Sequence, residues 1–212
     1  LNPEERVDDN HRARHAHILA LPHPAQYELV LLGDSLTRRW EDYPEQWNRH
    51  FGNFKAANLG VGGDTIENVL WRIGHSELDG LHPAVLVLLI GTNNLPRDSA
   101  HTVAAGLTQL TTQLGVQLPR TKILVVGPLP RNPEPGRDFG ALVAEVNRLA
   151  SALDNGKSVF FRDYGWVFPR VGGLVDPALM PDGLHLNAAG YDLWGPVLAA
   201  TVRDLSSPAP ER

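Results

Sequence analysis

Four short stretches carry the side chains that could do chemistry: Gly33-Asp34-Ser35-Leu36, Gly62-Gly63, Thr92-Asn93-Asn94 and Asp182-Gly183-Leu184-His185. A serine hydroxyl attacks only with a base in hydrogen-bond reach and a third group to orient that base. His185 suits the base, since an imidazole can take a proton and return it around neutrality. Asp182, three residues earlier, can bond the other ring nitrogen, fix the tautomer and stabilise the imidazolium. Attack on a carbonyl also needs N–H donors aimed at the developing oxyanion. Gly62-Gly63 can present backbone N–H groups because no Cβ intervenes, and Asn93 can add a side-chain N–H. Each stretch also has a plain structural alternative. Asp182 to His185 could be a turn feeding a helix, the glycines a tight strand-to-helix turn, and Asn93-Asn94 an Asx turn.

Elements able to position these residues can be read around them. Continuous apolar runs at 28–32, 54–59, 84–90, 122–126 and 159–162 read as buried strands. The first stops abruptly at Gly33-Asp34-Ser35, where open α/β sheets place their ligand sites. Between the strands lie segments of helical periodicity. One begins at Leu36 and is interrupted at Tyr43-Pro44, with Trp47 and Phe51 placed to pack on the sheet. Another is capped by Asp64 or Thr65 and carries Ile66, Val69, Leu70 and Ile73 on one face. A third follows Ser99 with the stripe Val103, Leu107, Leu110 and Leu114. The last two span about 137–153 and 188–205. Continuously apolar strands alternating with helices predict an α/β fold, a parallel sheet of about five strands covered on both faces. The residues singled out follow strands, so the fold should gather them along one edge.

Composition narrows the function. The chain has 212 residues, a net charge of −5 and no cysteine. At this length one domain over 1–212 is expected, with no internal repeat or linker. The charge gives no reason to expect nucleic acid, and no apolar run is long enough for a membrane span. Lack of cysteine excludes a thiol nucleophile, disulfides and Cys-ligated zinc. No signal peptide is visible, but the first residue is Leu1 and the one methionine is Met180. The expectation is that a natural start, and any targeting segment, was removed, leaving cytoplasmic and secreted locations both open. Residues 1–26 read as a polar, solvated helical lead-in, and 206–212 as a frayed tail. His11 and His15 share a helical face and could bind a metal, although the solvated helix is the reading adopted; neither is given a catalytic role. Gly60-x-Gly62 has Thr65 where a dinucleotide fingerprint needs glycine, and Thr37 replaces the last glycine of Gly-x-Ser-x-Gly. Neither a P-loop nor His-Glu-x-x-His occurs.

Together and in this order, the stretches resemble the SGNH hydrolases, also called GDSL esterases. Gly33-Asp34-Ser35-Leu36 matches their first block, and Asn58-Leu59-Gly60-Val61-Gly62-Gly63-Asp64 the second. Gly91-Thr92-Asn93-Asn94 matches the third and Pro181-Asp182-Gly183-Leu184-His185-Leu186-Asn187 the fifth. Gly-Gly-Asp-Thr followed by Val69-Leu70-Trp71-Arg72, with Asn94 where many members have Asp, resembles the platelet-activating-factor acetylhydrolase branch and its bacterial relatives. The resemblance implies a flavodoxin-like three-layer α/β/α fold with neither metal nor organic cofactor. It also implies an oxyanion hole of Ser35 N–H, Gly63 N–H and the Asn93 side chain.

The expected chemistry is that of a serine esterase. His185 removes the Ser35 proton, Ser35 attacks an ester carbonyl, Asp182 orients His185, and water releases the acyl-enzyme. Leu36, Thr92 and Leu184 neighbour catalytic residues and are expected to wall a pocket for a small acyl group, acetyl above all. The substrate would be a small-molecule ester, an acetylated carbohydrate or lipid. Alternatives are a lysophospholipase or thioesterase taking longer chains, and a catalytically silent binding module. Trp40, Tyr43, Trp71 and Trp166 could stack on a sugar, though burial is the reading preferred for them. Association of the acetylhydrolase subunits hints at a homodimer.

Overall fold

The computed structural model describes residues 1–207. The apolar runs form β1 Leu29–Gly33, β2 Ala56–Gly60, β3 Val85–Leu89, β4 Lys122–Val126 and β5 Val159–Arg162. They pair in the order β2-β1-β3-β4-β5, every pair parallel. β1 and β3 are buried at every position, so neither alternates in polarity. Successive side chains instead feed two separate cores. Val30, Leu32, Leu86 and Leu88 pack with Ile66, Val103, Leu107 and Phe139 on one face. Leu29, Leu31, Val85 and Val87 pack with Trp40, Phe51, Trp194 and Leu198 on the other.

Those partners identify the covering layers. Helices α4 Ile66–Ile73, α5 Ala100–Gln117 and α6 Phe139–Ala150 lie on the first face. Helices α2 Ser35–Arg38, α3 Pro44–Phe51 and α7 Ala188–Ser206 lie on the second. The result is the three-layer α/β/α arrangement with flavodoxin-like strand order. Local signals set the helix starts. Thr65, not Asp64, caps α4 in a reciprocal box with Asn68. Ser99 caps α5, and Pro44 opens α3, where its missing N–H costs nothing.

Several boundaries differ from the periodicity. The 137–153 segment is shorter as α-helix, because Asp138 caps it at one end and 151–153 tightens into a 3-10 turn at the other. Helix α7 includes Ser206, the first residue of the expected tail; 208–212 lie outside the described residues. A two-stranded hairpin, β6 Arg170–Val171 and β7 Leu174–Val175, sits in what the sequence presents as loop. Gly172 and Gly173 both turn it in the left-handed region.

The N-terminal helix is solvated on one side and docked on the other: α1 Asp9–Leu19 leaves Asp9, Asn10, Arg12, Ala13, Ala16 and His17 exposed, buries His11 and Ile18, and turns Arg14 and His15 toward the domain. His15 Nδ1 lies 2.6 Å from a Glu77 carboxylate oxygen, and Arg14 donates to the carbonyls of Asn58 and Gly60 at the free edge of β2. Arginine thereby occupies acceptors that an exposed edge would offer to another chain. Among the described residues no group of three or more metal-ligating side chains converges, and no helix is long and apolar enough to cross a membrane.

Candidate active site

Ser35 is the first residue of α2, at the carboxyl end of β1. Its turn is tied down from three directions. The Asp34 carboxylate accepts the Leu36 N–H at 2.9 Å, Asn58 Nδ2 donates to the Thr37 carbonyl at 2.8 Å, and the Tyr191 hydroxyl donates to the Leu36 carbonyl at 2.7 Å. His185 and Asp182 come from the loop before α7. Ser35 Oγ lies 2.9 Å from His185 Nε2, and His185 Nδ1 lies 2.7 Å from Asp182 Oδ2. The other carboxylate oxygen, Asp182 Oδ1, accepts the amides of His185 at 2.7 Å and Leu184 at 3.0 Å. Burial works against the charge of Asp182, but the amide and ring of His185 and the amide of Leu184 outweigh it and hold the carboxyl at about 2. A charged carboxylate against Nδ1 places the ring proton there. Nε2 is then left free to accept from the serine hydroxyl.

Gly63 follows β2 and Asn93 follows β3, so both loops open beside the end of β1. Gly63 has φ +81°, a conformation that a Cβ would strain. Asn93 Nδ2 donates to the Asp64 carbonyl at 2.8 Å, which fixes the amide while leaving its second N–H unused by that bond. Asn94 plays a different part. Its Oδ1 accepts the Ile66 amide, and its Nδ2 donates to the carboxylates of Glu67 and Asp98. An aspartate here would face two like charges, so the amide suits these neighbours.

The residues expected around the acyl group fall at different depths. Leu36 is 1% exposed and packs in the second core. Thr92 is buried, with its carbonyl accepting from Arg131 Nη1 at 3.0 Å. Half-buried Leu184 lines a cavity of about 140 Å³ with Arg131, Asn132, Glu134 and Asp182. Among the aromatics, Trp40 is fully buried, Tyr43 packs on Tyr191, and Trp71 packs on His75. Trp166 departs from the expectation of burial at 74% exposed.

Other residues of the site carry little local signal in the sequence. Asn132 N–H donates to the Gly183 carbonyl at 2.7 Å while its Oδ1 accepts the Val175 amide at 2.8 Å. It joins the triad loop to the hairpin. Arg72, buried in α4, donates to Asp64 at 2.7 Å and pairs with Glu77. Its sequence signals are an arginine amid the apolar run of that helix and its place in the Val69-Leu70-Trp71-Arg72 stretch of the resemblance. Arg6 also reaches Asp64, from 58 residues away, where no spacing rule applies.

Comparison with known proteins agrees with this architecture. Residues 31–193 match the GDSL-like lipase/acylhydrolase family. The alpha2 subunit of platelet-activating factor acetylhydrolase IB from Rattus norvegicus is 32% identical over 186 residues, covering 87% of this chain and 80% of that protein. A GDSL-like lipase structure from Bacteroides thetaiotaomicron superposes with a TM-score of 0.75 at 18% identity, covering 91% of this chain and 97% of the other. A carbohydrate acetylesterase family member from Sinorhizobium meliloti superposes with a TM-score of 0.63 at 21% identity, covering 84% and 98%.

Proposed function

This chain belongs to the GDSL-like lipase/acylhydrolase family and is an ester hydrolase; from that premise we propose that Ser35 is its nucleophile and small acyl esters, acetyl esters above all, its substrates. The observation that carries this reading is the unbroken run from Ser35 Oγ through His185 to Asp182, at 2.9 and 2.7 Å. His185 takes the serine proton as Oγ attacks the ester carbonyl, and Asp182 stabilises the imidazolium. The tetrahedral oxyanion is received by the N–H groups of Ser35 and Gly63 and by Asn93 Nδ2. Collapse expels the alcohol, which takes the proton from His185. Water, deprotonated by the same histidine, attacks the acyl-enzyme; the Ser35–acyl bond then breaks, Oγ takes the proton back from His185, and the acid leaves.

Of the three residues expected to wall the acyl pocket, half-buried Leu184 has surface to offer beside Asp182, whereas buried Leu36 and Thr92 offer almost none; the preference for a short acyl group rests on their bulk next to Ser35 and Asn93 in the chain. For the alcohol, acetylated carbohydrates and acetylated lipids are both supported, by the names of the bacterial neighbour and of the mammalian relative respectively. Acetate release across a panel of acetylated sugars and phospholipids tests the alcohol. A series of p-nitrophenyl esters from acetyl to decanoyl tests the acyl group. The expected order is a steep fall beyond the shortest chains, with Ser35→Ala losing several orders of magnitude in kcat while folding normally. A maximum at long chains would replace the proposal with a lysophospholipase or thioesterase. Near-normal turnover by Ser35→Ala would remove the nucleophile.

A further inference from the structure

We propose that Arg6 is a positioning residue: it fixes the peptide that presents the Gly63 N–H to the oxyanion. The inference rests on the proposed role of that N–H. Arg6 lies in the N-terminal segment ahead of α1, a region to which the catalytic reading gives no part. Its Nη1 donates to the Gly62 carbonyl at 2.6 Å and to Asp64 Oδ1 at 3.0 Å. The other edge of the guanidinium, Nε and Nη2, bonds Asp8 Oδ2 at 3.0 Å. Asp8 is itself fixed as the cap of α1. The segment carrying Arg6 is fixed as well. The Glu4 amide donates to the Glu67 carbonyl at 3.0 Å, and Asn68 Nδ2 donates to the Glu4 carbonyl at 3.0 Å.

The Gly62 carbonyl and the Gly63 N–H belong to one peptide unit, and that unit is trans. They point in opposite directions. A cation holding the carbonyl therefore aims the N–H away from itself. Donation to the carbonyl also polarises the unit, so its N–H becomes a stronger donor. The clamp matters because two successive glycines leave this peptide free to rotate. Gly63 is shaped to the clamp, since a Cβ on it would sit 3.2 Å from Arg6 Nη1.

Asp64 extends the hold to the second donor. Its carboxylate lies between Arg6 and the buried Arg72, and its carbonyl accepts from Asn93 Nδ2. One arginine thus touches the peptide of one oxyanion donor and the residue that anchors the other. Its side chain is 27% exposed, so it can be replaced without opening the core.

The test is kinetics on p-nitrophenyl acetate with Arg6→Ala, Arg6→Lys, Asn93→Ala and the Arg6→Ala/Asn93→Ala double variant, each assayed well below its melting temperature. Arg6→Ala is expected to lower kcat by about tenfold to a hundredfold with KM within about twofold, because an oxyanion donor is misplaced while substrate binding is untouched. Arg6→Lys recovers part of the loss, since one ammonium reaches the carbonyl but cannot span all three partners. Asn93→Ala loses about 10²–10³ in kcat, and the double variant loses less than the product of the singles because the two effects share one loop. Unchanged kcat in Arg6→Ala beside a large loss in Asn93→Ala overturns the role of Arg6 alone. A raised KM at constant kcat overturns it too, by making Arg6 a residue that binds substrate. Unchanged kcat in both singles overturns the oxyanion reading on which the inference stands.

Discussion

Asp182 holds two things with one carboxylate. Oδ2 faces the ring of His185, and Oδ1 takes the backbone N–H groups of His185 and Leu184. Because those donors hold the carboxyl at about 2, it stays charged throughout the working pH range. Asp182 therefore meets the ring of His185 as a carboxylate, not as a neutral acid. The same geometry defines what an amide would do. Asparagine at this position keeps its oxygen on the two backbone amides and turns Nδ2 toward the ring. His185 Nδ1 must then accept, which moves the ring proton to Nε2, where the serine hydroxyl can no longer be deprotonated. Asp182→Asn is expected to lower kcat by about 10⁴ with the fold intact. Steady-state kinetics beside a thermal melt checks this, and a loss below tenfold would contradict the role.

The loop bearing Asp182 and His185 is held as an element, through Gly183 and Asn132. Gly183 has φ +75°, and a Cβ there would come within 2.6 Å of Asn132 Nδ2. Asn132 also carries the Val175 amide of β7, so loop, hairpin and triad are placed together. Gly183→Ala adds about 1–2 kcal/mol of left-handed backbone strain and displaces Asn132. The expected result is a fall of about 10² in kcat from misplaced His185, with unfolding cooperativity retained. Full activity in this variant would show that the loop repositions itself freely. Triad and loop are not equally legible in the sequence. Ser35 follows an apolar run and Asp182 lies three residues from His185, so local spacing exposes both. Asn132 and Arg6 act across long sequence separations through backbone carbonyls, which no periodicity encodes. The hairpin escapes because strands of two residues are too short to show alternation. Helix α1 reads as solvated because its buried face is built of histidine and arginine against carboxylates, and hydropathy registers only apolar burial.

At the scale of the molecule, the strand order places the turn after β1 beside the loops after β2 and β3, and this edge concentrates buried charge as well as the proposed chemistry. Asp64 lies between the guanidinium groups of Arg72 and Arg6; burial raises its carboxyl, and Arg72, His11 and Arg6 oppose that rise only in part. Asp34 has no such compensation. It is fully buried, Oδ1 accepts the Leu36 amide, and Oδ2 has no partner among the described residues. Burial pushes its carboxyl from 3.8 up to about 7; the Leu36 amide opposes the rise and the nearby Asp64 adds to it. The folded protein therefore keeps a proton that the unfolded chain releases. Where the native state binds more protons, stability falls as pH rises. The contribution of Asp34 is complete below its unfolded value and is lost as pH climbs through about 7. Asp34→Asn keeps the oxygen that caps α2 and cannot titrate, so it removes this dependence and leaves the other groups in place. Relative to the parent, the variant is expected to gain about 3 kcal/mol between pH 5 and pH 8, from roughly two pH units of linkage at 1.36 kcal/mol each. Urea unfolding of both proteins at the two pH values measures the change. A stability difference that stays constant would show that Asp34 is ionised in the fold at both, and that a cation or water reaches the oxygen now without a partner.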